Sequence, residues 1–152
     1  MPSLMWMLST VDRCAKLYQD DHLSDTDLKP HHCRYLFSVC RDPGLSQDQL
    51  AKRVVADKSQ VARAVAYLEE HGYVTRSTGA DKRVLLVSPT EKAIEELPRL
   101  RKIFRTWNEW LMEEFSPEEQ EQFLCLMERA RERAVRYTEI EGKDLPGKET
   151  EA

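Results

Sequence analysis

Two helix-start signatures set close together constrain this chain more than any other feature. In Ser46-Gln47-Asp48-Gln49 and Asp57-Lys58-Ser59-Gln60, a cap oxygen faces the amide three residues on, and a Gln there can reach back to the cap. The two caps are eleven residues apart, which leaves room for one short helix and a tight turn. Leu50, Ala51 and Val54 give the first helix its buried side, and Val61, Val65 and Leu68 do so for the second. Gly72 stands where a left-handed residue would end that second helix. This is the arrangement of a helix-turn-helix, in which the first helix braces the second so that it projects.

The flanking sequence extends the pattern. Leu4, Met7, Leu8, Val11, Cys14, Ala15 and Tyr18 recur at helical spacing over residues 4–23. A polar turn follows, and Pro30 opens a second helix whose stripe is Cys33, Leu36, Phe37 and Cys40, ended by Arg41-Asp42-Pro43-Gly44. After Gly72 the runs Tyr73–Arg76 and Val84–Val87 read as strands around a polar, glycine-containing tip, residues 77–83. Ser88-Pro89-Thr90-Glu91 predicts the start of a long fifth helix, with Ser88 as cap and Pro98 expected to bend it. Ser116-Pro117-Glu118-Glu119 repeats the cap signature before a sixth helix. Beyond Tyr137 the sequence is polar and aperiodic, and residues 138–152 are expected to be a disordered tail. The expected fold is mainly α with a small β-hairpin: a winged helix-turn-helix lobe plus a helical lobe from the terminal helices.

Charge supports a local rather than a global role. The 152 residues carry a formal net charge of −4, which argues against indiscriminate coating of nucleic acid. Residues 45–88 are net +2, between segments of −1 (residues 1–44) and −5 (residues 89–152), so positive charge gathers around the projecting helix. No apolar run approaches the length needed to cross a bilayer, and the first residues lack a signal-peptide pattern. Four cysteines without CxxC spacing suggest reduced thiols, so a cytoplasmic location is expected.

Entry into a major groove requires small side chains along the contact line and a few long polar ones. Ala62 and Ala66 are the small ones; Arg63 can donate two hydrogen bonds to guanine, and Gln60 has the donor and acceptor to pair with adenine. Lys58 and Ser59 at the helix start suit phosphates. In the hairpin, Lys82 adds charge, Arg83 is the candidate for an adjacent minor groove, and Asp81 is placed to hold that arginine.

With these residues in view, the chain resembles the MarR family of winged-helix transcription regulators. The matching stretches are LSQDQLAKRV, DKSQVARAVAYLEEHGYVTR and DKRVLLVSPTEKA, and the order of elements matches over roughly residues 8–136. The family's wing Asp-x-Arg corresponds to Asp81 and Arg83, and its recognition-helix arginine to Arg63. Two positions depart from the pattern. Ala93 stands where the family opens its long helix with a glycine, and Leu85 replaces a second wing arginine, which implies a weaker wing contact.

The resemblance implies one MarR-type domain over residues 1–137, with a winged lobe 30–97 and a dimerisation lobe built from 1–28 and 98–137. It implies a homodimer on an inverted-repeat operator, acting as a ligand-responsive repressor. The terminal helices independently carry more apolar surface than one small lobe can cover, with Trp6, Trp107, Trp110 and Phe115 among it. The family's effector pocket, typically for small aromatic acids or phenols, lies between helices one, two and five; Arg13, Tyr18, His32 and Tyr35 fall in that neighbourhood.

Other chemistry is weaker in the sequence. Cys33 and Cys40 sit on an apolar stripe and read as core. Cys14, one turn before Tyr18, resembles the reactive pair of the family's peroxide-sensing branch and is the redox candidate of an alternative, thiol-sensing reading. Adjacent His31 and His32 point to different sides of a helix and lack metal-ligand spacing, so a surface turn is expected there, with no metal and no cofactor. No phosphate-binding loop, nucleophile elbow or paired acidic motif marks an enzyme; the alternatives of another class are a winged helix used only for protein contacts and a small enzyme without DNA binding.

Overall fold

The computed structural model describes residues 3–139. The elements are α1 (Leu4–His22), α2 (Pro30–Arg41), β1 (Leu45–Ser46), α3 (Gln47–Val54), α4 (Lys58–Glu70), β2 (Val74–Thr78), β3 (Leu85–Pro89), α5 (Glu91–Leu111) and α6 (Pro117–Glu139). The chain divides into two compact units between Trp110 and Leu111.

In the first unit, α2, α3 and α4 pack around one core. Leu36 and Val39 of α2, Leu50 of α3 and Val61, Val65 and Leu68 of α4 are all fully buried, and Tyr73, just before β2, closes the side together with Val74 and Val87 of the sheet. Both sequence-predicted capping boxes form. Ser46 Oγ accepts from Gln49 N at 3.1 Å and Gln49 Oε1 accepts from Ser46 N at 2.9 Å. Gly72, at φ +77°, takes the left-handed turn after α4.

The sheet is antiparallel with order β1-β3-β2, so β3 is its centre. Leu45 pairs with Val87, and Arg76 pairs with the same residue from the other side. The sequence reading anticipated two strands. β1 has only two residues, too few to show a period, and exists because β3 offers it a free edge.

The start of α5 also differs from expectation. Ser88 and Pro89 belong to β3, where a proline at the strand end loses no ladder bond it needs. Thr90 is the cap instead: its Oγ1 accepts from Ala93 N at 3.3 Å and donates to Gly72 O at 2.6 Å. α5 continues through Pro98.

Val55, at the end of α3, sits at φ +53°, a left-handed conformation that β-branched side chains rarely adopt. Ala56 N donates to Ala51 O at 3.0 Å, and Arg34 Nη2 reaches across from α2 to donate to Val54 O at 2.5 Å. These bonds hold the strained turn that sets the angle between α3 and α4. Val55 is half exposed, so little packing is lost on replacing it. Val55→Asn, which tolerates this conformation, is expected to stabilise the fold by about 1 kcal/mol. Chemical denaturation checks it, and a lower midpoint for the variant would contradict the strain.

α1 meets this core mainly through its C-terminal part, where Gln19 and, just beyond the helix, Leu23 are buried. Its N-terminal half leaves Leu4, Met5, Trp6, Met7 and Val11 exposed. In the second unit, Ser116 caps α6: Ser116 Oγ accepts from Glu119 N, and Glu119 Oε2 accepts from Ser116 N. No described residue of α6 is buried, and Phe123, Leu124 and Leu126 face outward. The helix runs on through Thr138 and Glu139, two residues past the point where the sequence reading ended it. The rest of the expected tail lies outside the described residues. Among the described residues no helix is long and apolar enough to cross a membrane.

Candidate nucleic-acid interface

α4 owes its position to its two ends. At the N-terminus, Asp57 Oδ1 accepts from Gln60 N at 2.8 Å and from Ser59 Oγ at 2.8 Å. These donors hold the Asp57 carboxyl below the usual carboxylate range. At the C-terminus, Glu69 forms a two-pronged pair with Arg76 of β2, at 2.8 and 3.2 Å, which ties the helix to the wing. Asp57→Ala removes the acceptor at the helix start. Amide exchange of Gln60 is then expected to rise several-fold while that of Leu68 stays put, a contrast hydrogen-exchange measurement resolves.

Between these ends α4 buries Val61, Ala64, Val65 and Leu68 and leaves Lys58, Ser59, Gln60, Arg63 and Ala66 exposed, with Ala62 half-buried. The sequence-predicted contact residues therefore share one outward face. Their chemistry is not equivalent. Lys58 Nζ lies 3.3 Å from Asp48 of α3. Ser59 is engaged with Asp57, and Gln60 Oε1 accepts from Asp57 N at 3.2 Å, so a two-bond contact from Gln60 to a base would compete with its own cap. Arg63 forms no hydrogen bond or ion pair within the chain among the described residues, and its charge reaches Asp57 only through space. Its guanidinium is the one whose full set of donors on this face is uncommitted.

In the wing, Gly79 N donates to Val84 O and Val84 N to Asp81 O, both at 2.9 Å, closing the tip. Asp81 Oδ1 accepts from Arg83 N at 3.0 Å and lies 3.6 Å from Arg83 Nε. Arg83 is still almost wholly exposed, and Lys82 is exposed too. Leu85 is exposed at the base of the tip.

The pocket candidates do not converge on one point. Tyr18 lies against His22 at 4.0 Å and Trp107 at 5.3 Å, and Arg13 is exposed on α1. His32 and Tyr35 instead line a cleft of about 650 Å³ between α2 and α4, with Val55 and Ala56 of the turn and with Gln60, Arg63 and Tyr67. The surface turn expected at the two histidines holds for His31 only: His32 is buried, because its ring stacks on Tyr67 at 4.1 Å. Tyr67 stacks in turn on His71 at 4.0 Å, and His31 leans on His32 at 4.0 Å. Lys29 N donates to His32 Nδ1 at 3.1 Å, which caps α2 and requires the neutral ring. Burial, with His31, His71 and Lys29 nearby, pushes the His32 pKa down to about 4. Nothing in the sequence signalled this column of rings beyond the helical spacing of Tyr67 and His71.

Cys33 is fully buried and its thiol pKa is pushed up to about 12 by burial; Cys40 is half-buried and its pKa is raised for the same reason. Cys14 is exposed on α1, and the nearby Lys16 is occupied by Asp12 at 2.6 Å. Among the described residues no group of three or more His, Cys, Asp or Glu is placed to hold a metal ion.

Comparison with known proteins agrees with this geometry. A sequence model described as the MarR family matches residues 26–84, which span α2 to the wing. The HTH-type transcriptional regulator YybA of Bacillus subtilis is 26% identical over 137 residues, covering 90% of this chain and 91% of YybA. The crystal structure of MarR superposes with a TM-score of 0.78 at 28% identity, covering 89% of this chain and 99% of that one. A MarR-family regulator from Listeria monocytogenes, solved with a 26mer DNA, has the same fold at TM-score 0.86 and 19% identity, covering 96% of this chain and all of that one. The paired caps, the glycine stop, the wing and these likenesses point the same way: over α2 to the wing the chain is similar to the MarR family of transcription regulators, and it shares that family's fold.

Proposed function

We propose that this chain binds duplex DNA as a homodimer on an inverted-repeat operator and acts as a ligand-responsive repressor in the cytoplasm. The observation that carries the reading is Arg63: an uncommitted guanidinium between Ala62 and Ala66, on a helix braced at both ends. In this reading Arg63 reads a base edge, and Lys58, Lys82 and Arg83 neutralise phosphates, with Asp81 orienting Arg83. Ser59 and Gln60 serve chiefly as cap and add backbone contacts. The fold shared with the DNA-complexed Listeria regulator is consistent with this use of α4.

Dimerisation is supported by the apolar surface left uncovered. Trp6 and Trp110 are 60% and 62% exposed, and the outward faces of α1 and α6 carry Leu4, Met5, Phe123 and Leu124. A single chain leaves this surface in water, whereas a second copy pairing its own terminal helices (1–28 and 98–137) would bury it. Effector binding near His32 and Tyr35, with Arg13 and Tyr18 as the more distant candidates, then shifts the population away from the DNA-competent arrangement.

The test is a salt titration of operator binding, with the operator obtained by selection from random duplexes and the mass of the complex measured in the same buffer. Three phosphate contacts from each of two protomers predict log K falling with log salt at a slope of about −5. A flat salt response, or a protein that stays monomeric at micromolar concentration, removes the reading.

A further inference from the structure

Val55 is the one non-glycine residue at positive φ among the described residues. The other two positions of that kind are glycines, Gly44 at φ +86° and Gly72 at φ +77°. Glycine or asparagine at position 55 would hold the same turn with less strain. Packing does not account for the valine either. Its side chain is 50% exposed, and it lies outside the core that its neighbours Ala51 and Val54 join. A strained residue explained neither by backbone preference nor by burial points to a use at the surface.

The surroundings of Val55 indicate which use. It borders the same cleft as Gln60 and Arg63, two residues of the face proposed to touch DNA. The turn that carries it is fixed on both sides, by Ala56 N donating to Ala51 O at 3.0 Å and by Arg34 Nη2 donating to Val54 O at 2.5 Å. A branched side chain has little freedom about χ1, so its two methyl groups are held in nearly one place. Lys58, Ser59, Gln60 and Arg63 meet a duplex with polar groups, and Val55 adds a rigid aliphatic one beside them. In the major groove the partner of an aliphatic group is the C5 methyl of thymine.

We infer that Val55 is a specificity-determining residue whose isopropyl group contacts a thymine methyl in the half-site read by Arg63. This contact rests on the reading that Arg63 faces the bases, and it adds a second base that the half-site must contain. Asparagine or glycine at position 55 would relax the turn but carry no aliphatic group, so stability and recognition oppose each other there.

The experiment measures binding of the full-length protein to the selected operator and to duplexes in which each thymine of one half-site is replaced in turn by uracil. Uracil keeps every hydrogen-bonding group of thymine and lacks only the methyl. One position is expected to cost about fourfold in affinity, the worth of one buried methyl group. Val55→Asn binds the thymine operator more weakly by at least that factor and shows no further loss at that uracil. Val55→Ile, as strained as valine and still branched, keeps both the affinity and the uracil penalty, which separates the contact from a change in the turn. The absence of a uracil penalty at every position overturns the inference. So does an equal loss by Val55→Asn on thymine and uracil duplexes, which would assign Val55 to the sugar–phosphate backbone or to the turn alone. Either result, obtained with salt-dependent operator binding intact, defeats the inference and leaves the DNA reading standing. A protein for which selection recovers no duplex defeats the DNA reading and the thymine contact together.

Discussion

Arg63→Ala is expected to weaken operator binding by about 1–3 kcal/mol at each half-site, or roughly 5- to 150-fold per half-site. The size follows from what the side chain loses. A guanidinium that meets both acceptors of a guanine forms two bonds in a fixed geometry, and no neighbour on α4 can replace them: Ala62 and Ala66 are too short, and Gln60 is committed to its cap. Specificity should relax at the contacted position, because the discrimination is lost with the bond. The salt slope should change little, since phosphate contacts are kept by Lys58, Lys82 and Arg83. The stability of the free protein should be unchanged, as Arg63 forms no internal bond among the described residues. Binding isotherms on the operator and on a variant with the contacted base pair exchanged decide the matter. An affinity loss that is the same on both sequences would reassign Arg63 to the backbone.

Acid should destabilise the protein through His32. Its ring is buried and neutral in the folded chain, with a pKa near 4, against about 6.5 when unfolded. Because the folded value is the lower one, the unfolded chain takes up the proton first as pH falls. The full contribution of the neutral ring is present above about pH 6.5, shrinks from there to about pH 4, and is constant below. The shift corresponds to a loss of up to about 3 kcal/mol across that window. His31, whose pKa is also lowered, mainly by burial, acts in the same direction. Protonation at Nδ1 would in addition remove the acceptor of Lys29 N and uncap α2. His32→Asn keeps an oxygen for Lys29 N and cannot titrate. It is expected to be less stable at pH 7, having lost the stack on Tyr67, but to lose much less between pH 6.5 and 4. Urea midpoints at half-unit pH steps measure both slopes; parallel slopes would show that the acid sensitivity lies elsewhere.

The two predictions draw on parts of the molecule with different legibility. The face that carries Arg63 could be read directly from residues 46–72. A cap, its reciprocal Gln and a terminal glycine act over four residues or fewer, so their spacing in sequence is their spacing in space. The wing followed because its turn is also local, with Asp81 and Arg83 two residues apart. Strand ends moved by a residue or two, and the cap of α5 fell on Thr90 rather than Ser88, because pairing with β2 drew Ser88 and Pro89 into the sheet. His32 was legible only as a residue beside His31, and its burial depends on a stack with Tyr67, far along the chain.

The sequence by itself determined the helix-turn-helix, its glycine stop, the basic wing and the outward placement of Arg63, since each rests on hydrogen bonds or periodicity between near neighbours. Tertiary structure alone decided the rest. The strand β1, the left-handed turn at Val55 held by the bond from Arg34 to Val54 O twenty residues away, the Tyr67 hydroxyl on Asp27 forty residues away, and the cleft between α2 and α4 all join distant segments. Such contacts form only once hydrophobic burial has brought α2 against α4, and no local spacing rule encodes which polar groups that packing will bring together.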